Sequence, residues 1–188
     1  MIIVKNRSSS CDWVVYHISL GGTVNLYLNG SYAASSPSNG GIYSPSSTIF
    51  TTNNSGTAVQ SNQSGQTYVA YCFAEISGYS KAFSYTGNGS ADGPFIFTGM
   101  RPAYVMIKRS DAADNWFVYD VARNTYNQME SRLYPNLSDA ETTNSTNALD
   151  MLSNGFKIRS TGTALNTSGG TFIGIAFASA PFKFSLAR

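Results

Sequence analysis

With 188 residues, 42% hydrophobic and 13% aromatic, the chain has the length for one large β domain or two small ones and the apolar content for a packed core. Charged residues are only 12%, about half the usual share, and Ser, Thr, Asn and Gly supply solubility instead. That is the profile of a turn-rich extracellular or virion β-protein, not of a cytosolic helical enzyme. The net charge is +2 with scattered Lys and Arg, so no basic tract exists to grip nucleic acid, and no apolar run is long enough to cross a membrane or to serve as a signal-peptide core.

The first strand signal is Ile2-Ile3-Val4-Lys5, followed by a polar stretch and by Trp13-Val14-Val15-Tyr16. The spacing predicts an antiparallel hairpin. Thr67 to Ala74 is apolar on both faces, as a central strand is. Its Cys72 reads as a small buried hydrophobe and, with Cys11, as an unbridged thiol. Tyr79 to Pro102 reads as two strands joined by a hairpin loop, with turn chemistry dense between Thr86 and Pro94, with Phe83 and Tyr85 alternating with polar neighbours and Phe95 and Phe97 at the same two-residue spacing. A second hairpin follows, Tyr104 to Lys108 with Trp116 to Tyr119. Val121 to Arg132 carries the only helical pattern. Phe156 to Arg159 alternates as a half-buried strand, Thr171 to Ala178 is apolar on both faces, and Phe182-Lys183-Phe184-Ser185-Leu186 has the pattern of Lys81-Ala82-Phe83-Ser84-Tyr85. The later part is thus expected to hold seven strands, at 81–86, 95–98, 104–109, 115–120, 132–135, 156–160 and 171–178. Many short strands separated by turns indicate a sandwich or barrel.

These elements come in two sets. Residues 2–17 align without a gap on 105–120, with Lys5 on Lys108, Trp13 on Trp116 and Tyr16 on Tyr119 at one offset (116 − 13 = 103). The match resumes from Tyr27 to Ser31 on Tyr134 to Ser138, and from Asn62 to Ala74 on Asn166 to Ala178 (166 − 62 = 104). Two tandem β repeats are expected, 1–78 and 79–188. The first lacks the leading hairpin 79–102 that precedes the second, which would leave a sheet edge unpaired. Three completions are open: strand 81–86 serves the first copy while 182–187 serves the second, a neighbouring chain donates a strand, or the chain is part of a longer polypeptide. The first is favoured, because the two stretches then follow each copy in the same place.

Residues for chemistry are few. The single histidine, His17, stands at a strand end where the second copy has Asp120, and reads as a surface or loop-anchoring residue. The ten carboxylates form no paired pattern of the glycosidase kind and mostly lie in turns. Asp111 and Asp114, with Asp120 beyond, are the one set that would offer oxygens to calcium, in one copy only. The eight Asn-x-Ser/Thr triplets follow from composition, with no export signal to make them glycan sites. Trp13 and Trp116 read as core anchors, and the loop tyrosines Tyr32, Tyr43, Tyr79 and Tyr126 as candidate surface or glycan contacts. No catalytic or cofactor-binding residue is expected, and nothing in the sequence asks for an enzyme.

The phrases Ile3-Val4-Lys5-Asn6-Arg7, Tyr68 to Glu75, Gly78-Tyr79-Ser80-Lys81, Tyr85 to Phe95 and Leu152 to Lys157 resemble a repeat domain of unknown function in structural proteins of tailed bacteriophages, especially aquatic ones. The resemblance covers nearly the whole chain. It implies an all-β fold, an antiparallel β-sandwich of jelly-roll, lectin or laminin-G type in two tandem repeats. It also implies a virion location as tail fibre, capsid decoration or host-adhesion component. The partners it implies are other virion proteins, further copies in a homo-oligomer and a host surface glycan, with no nucleic acid and no membrane insertion. It carries over no catalytic residues.

Overall fold

The structure, a computed structural model, describes residues 1–37, 40–52 and 60–179. It divides into two compact units, Met1–Phe73 and Ala74–Arg188. The first holds β1 (Ile2–Asn6), β2 (Trp13–Tyr16), β3 (Leu26–Tyr27), β4 (Ile42–Tyr43), β5 (Thr51–Thr52) and β6 (Tyr68–Cys72). The second holds β7 (Ser80–Thr86), β8 (Phe95–Phe97), β9 (Pro102–Arg109), β10 (Trp116–Asp120), β11 (Ser131–Arg132), β12 (Thr142–Thr143), β13 (Leu149–Leu152), β14 (Gly155–Ile158), the single-turn α1 (Thr163–Asn166) and β15 (Thr171–Ala178). Among the described residues all strand pairings are antiparallel, and the fold is all-β and sandwich-like, as the strand pattern predicts.

The second unit shows the architecture in full. One sheet runs β10-β9-β15-β7 and another β13-β14-β8. Phe83, Val105, Ile107, Phe117, Tyr119, Phe172 and Ala176 from the first sheet meet Ile96, Leu149, Met151, Phe156 and Ile158 from the second in one buried core. The Phe83 ring meets Phe156 edge-on, centroids 5.0 Å apart, and Tyr85 stacks on Phe172 at 4.8 Å. The inward residues of β9 and β15 fall at every second position, as the pleat requires. The opposite face of this sheet, with Trp116, Lys108, Ile173 and Ile175, is buried as well. In the first unit β3-β2-β1-β6 form one sheet. Val4, Val14, Tyr16 and Ile42 make its core, with Ile2, Tyr27, Phe50 and Tyr68 against it.

The units share registers as well as sequence. Lys5 pairs Trp13 as Lys108 pairs Trp116, and Val4 pairs Ala70 as Ile107 pairs Gly174. Anchoring hydrogen bonds recur at the same offsets. The Trp13 amide donates to Asn29 Oδ1 at 2.8 Å and the Trp116 amide to Asn136 Oδ1 at 3.0 Å. Lys5 Nζ donates to the Asn6 carbonyl, and Lys108 Nζ to the Arg109 carbonyl. The Arg7 amide donates to Thr67 O and the Ser110 amide to Thr171 O, both at 2.8 Å. The two sequence hairpins thus fold as their spacing predicts.

Several expectations are corrected. Strand 80–86 does not serve the first unit. It pairs β15 from Thr171↔Thr86 to Phe177↔Ser80. Residues 79–102 are not a hairpin: β7 belongs to one sheet and β8 pairs β14 in the other. The connection between them is tied across by the Gly93 amide to the Ile158 carbonyl and by the fully buried Asn166 amide, which donates to Asn88 Oδ1, Ser90 O and Ser160 O. Within it Gly87 has no room for a side chain, since a Cβ would lie 2.2 Å from the Thr167 carbonyl. Val121 to Arg132 is not helical. Asp120 Oδ1 takes the Ala122 amide, and Asn124 Oδ1 takes those of Glu130 and Ser131, so side chains claim the donors a helix would use. β6 is an edge strand and Cys72 is exposed, not buried, because among the described residues no strand lies beyond it in the first unit's sheet. Trp13 is half-buried, whereas Trp116 is fully buried. The stretch 182–187 lies outside the described residues.

Candidate functional site

Beside β7, at the start of the second unit, is an open cleft of about 380 Å³ lined by Glu75, Ile76, Ser77, Gly78, Ser80, Lys81, Phe97, Thr98 and Gly99. One wall is a tight turn. The Ser80 and Tyr79 amides donate to the Ile76 carbonyl, the Ile76 amide donates to Ser80 O, and Gly78 takes the turn's left-handed position at φ +74°. The other wall is the end of β8. There the Thr98 and Gly99 amides both donate to the Asn154 carbonyl, and Thr98 Oγ1 donates to Met100 O at 2.7 Å. Lys81 Nζ and Glu75 Oε2 form an ion pair of 2.7 Å across the turn, both partly exposed.

The cleft combines an open aromatic face with hydrogen-bonding groups of both signs. Phe97 is 62% exposed, and Ile76 and Phe95 are exposed beside or near it. The reason is register. Ile96 is buried, so Phe95 and Phe97 must face away from the core. Period two shows that these residues share a face but not which face, and the sequence reading therefore missed Phe97, Glu75 and Lys81. The available signal was Ile96 itself, an aliphatic flanked by two aromatics.

The loop tyrosines are dispersed. Tyr32 is 67% and Tyr126 85% exposed, each on its own loop. Tyr43 is half-buried on β4. Tyr79 adjoins the cleft turn and meets the Phe177 ring edge-on at 6.0 Å, with Tyr104 on the other side of Phe177 at 5.9 Å. Tyr104's phenol is pushed up from its usual range by burial and then by the nearby Asp120 charge.

The acidic residues are engaged locally. Asp111 Oδ1 accepts from Arg109 Nε at 2.9 Å, and this bond and charge hold its carboxyl below the usual range. Asp114 accepts the Asn115 amide, and Asp120 the Ala122 amide. Among the described residues no group of three or more His, Cys, Asp or Glu is gathered for a metal ion. Beside β13 and β14 a small ionic network joins Arg159 to Asp150 at 2.6 Å and Lys157 to Asp92, in the connection before β8, at 2.6 Å. The Lys157 hydrogen bond and charge lower the Asp92 carboxyl. His17 is fully buried and its Nδ1 accepts the Ser19 amide at 3.2 Å, so it anchors the short 3-10 turn Ile18–Leu20.

Comparison with known proteins gives one match. A family model described as a domain of unknown function (DUF7483) matches residues 1–181. No curated protein and no solved structure matches the chain.

Proposed function

From the premise that the chain belongs to the family described as a domain of unknown function, DUF7483, we propose that it is a non-enzymatic structural protein of a tailed-phage particle, a fibre, decoration or host-adhesion component. The observation that carries this is the duplicated build: two units with the same registers and the same anchoring bonds at Trp13 and Trp116, Lys5 and Lys108. A unit used more than once serves display and assembly, where weak contacts multiply across copies. The ionisable groups favour the same reading. The carboxyls of Asp92 and Asp111 are lowered by neighbouring cations, the opposite of what a general acid needs. An antibody raised to this chain is expected to label purified intact particles at repeated positions. Bare particles, with the chain confined to the particle-free fraction, would refute the assignment.

The cleft favours a second reading, glycan recognition. A sugar ring stacks on an exposed aromatic face while its hydroxyls bond carboxylate and ammonium groups, and Phe97 with Glu75 and Lys81 offers that set. On this reading a glycan array shows discrete binders whose affinity falls roughly tenfold in Phe97→Ala, about 1.4 kcal/mol, with Tyr126→Ala unchanged as the control. Silence across a broad array removes it.

A further inference from the structure

β6 occupies in the first unit the place of β15 in the second. It pairs β1 with Ile2 opposite Cys72 and Val4 opposite Ala70, and β15 pairs β9 with Val105 opposite Ala176 and Ile107 opposite Gly174. Each residue corresponds at the offsets of the sequence repeat. The other edges differ. β15 is flanked by β7 along 171–177, whereas among the described residues the first unit's sheet ends at β6. Burial follows. Phe172 to Ala176 are all buried, while in the equivalent stretch Tyr68 and Val69 are half-buried and Ala70, Tyr71 and Cys72 are exposed.

Among the described residues, the edge is open to pairing at Ala70 and Cys72, which are exposed on it. The Arg7 amide donates to Thr67 O and the Phe73 amide to Met1 O, which sets the alternation along β6. Residues 69 and 71 turn their backbone groups toward β1, and 68, 70 and 72 turn theirs outward. The strand Tyr68-Val69-Ala70-Tyr71-Cys72 has no charge, proline or glycine, so it lacks the features that usually keep a sheet edge from pairing. Ala70 and Cys72 lie on the face of β1 that carries the core residue Val4, yet are exposed, so the core flank is uncovered there. A second site points the same way. Asn166 is buried and holds the turn that follows β7, through Asn88 and Ser90, while its counterpart Asn62 is exposed.

We propose that the outer edge of β6 is a strand-acceptor site, filled by an extended segment of a neighbouring polypeptide that adds antiparallel in the position β7 takes in the second unit. β7 defines the chemistry of that segment. Tyr85 lies opposite Phe172, Phe83 opposite Gly174 and Lys81 opposite Ala176. The acceptor therefore takes an aromatic residue opposite Tyr68, an apolar residue opposite Ala70 and a long polar residue opposite Cys72, with small residues between. A Cβ on Gly174 would lie 2.5 Å from the Phe83 ring, so the methyl of Ala70 favours a residue slimmer than Phe at that point. Backbone pairing gives such a contact its affinity and the alternate side chains its selectivity. The inference is independent of both readings of function, since the edge lies in the first unit and the cleft in the second.

The test joins a second copy of the sequence Ser80–Thr86, carrying Phe83→Val so that it fits opposite Ala70, ahead of Met1 of the full chain by a flexible Gly/Ser linker of about 15 residues, long enough to span β6 and to raise the local concentration to roughly millimolar. Cys72, exposed on the edge, is the built-in probe. Alkylation of Cys72, located by peptide mapping, is expected to slow roughly tenfold while Cys11 is unchanged, and the amides of 70 and 72 gain hydrogen-exchange protection of similar size. The same tether with Phe83→Pro in the added copy does neither, because proline lacks the N–H that would face Ala70. Unaltered exchange and alkylation in the tethered chain overturn the proposal. So does protection that falls on Leu26–Tyr27 instead. Loss of Cys72 reactivity in the untethered chain as its concentration rises overturns it too, since that would mean β6 edges pair with each other.

Discussion

Trp116→Ala should destabilise the second unit by about 3–5 kcal/mol, the range for removing a large buried aromatic. The Trp116 side chain has no exposed surface, and its neighbours across the ladder are the equally buried Lys108 and, on β15, the buried Ile173. No adjacent loop is free to collapse into the space, since the Trp116 amide is fixed by Asn136, itself bonded to Asn115 Oδ1 at 2.8 Å. Trp13→Ala should cost less than half as much. Trp13 is half-buried, and its ring contact is a 6.3 Å stack on Tyr71, which is 46% exposed. With two units a single transition cannot be assumed. Urea titrations read by hydrogen exchange at the β9 and β15 amides report on the second unit, and those of β1 and β2 on the first. Equal losses for the two variants, or less than ~1 kcal/mol for Trp116→Ala, would contradict the burial difference.

That asymmetry marks where the sequence is legible and where it is not. The hairpins Lys5↔Trp13 and Lys108↔Trp116 could be read because both partners lie within a dozen residues and the same phrase occurs twice. The all-β architecture followed from strand periodicity and turn chemistry. The partners of β7 could not be read, because its pairing with β15 spans the whole second unit and nothing local distinguishes it from pairing with β6. The run Tyr-Val-Ala-Tyr-Cys is as apolar as Phe-Ile-Gly-Ile-Ala, yet one is an edge and the other a centre. Hydrophobicity records what a strand could bury, not whether a neighbour covers it. The cleft shares this difficulty. Phe97 could not be assigned to core or surface because alternation gives a face without a sign, and only the burial of Ile96 supplies the sign.

Lys108 provides the sharpest test of the buried outer face of the β9–β10–β15 sheet, through pH. Its side chain has no exposed surface, and Nζ donates to the Arg109 carbonyl at 2.6 Å. Burial lowers its pKa to about 8, with Arg109 adding to the fall and Asp114 and Asp111 opposing it. The unfolded chain holds this proton up to the ordinary lysine value of 10.5. Below pH 8 both states carry it, and the cost of burying the charge is present in full. As pH rises from 8, the folded protein releases the proton while the unfolded chain keeps it, so stability increases by an amount on the order of 3 kcal/mol if the whole window were traversed. The buried phenols of Tyr85 and Tyr119 limit that window from above. Burial raises both from 10.0, so above pH 10 the unfolded chain ionises first and stability falls again. The expected profile climbs from pH 8 to about pH 10 and then declines. Lys108→Met, which keeps the length of the side chain and removes the charge, should abolish the climb. It should also raise stability near pH 7 by about 1–2 kcal/mol, the gain reduced by the hydrogen bond lost to Arg109 O. A wild-type profile flat between pH 7 and 10, or a climb that survives in Lys108→Met, would show that the ammonium reaches solvent and that this face of the sheet is not sealed.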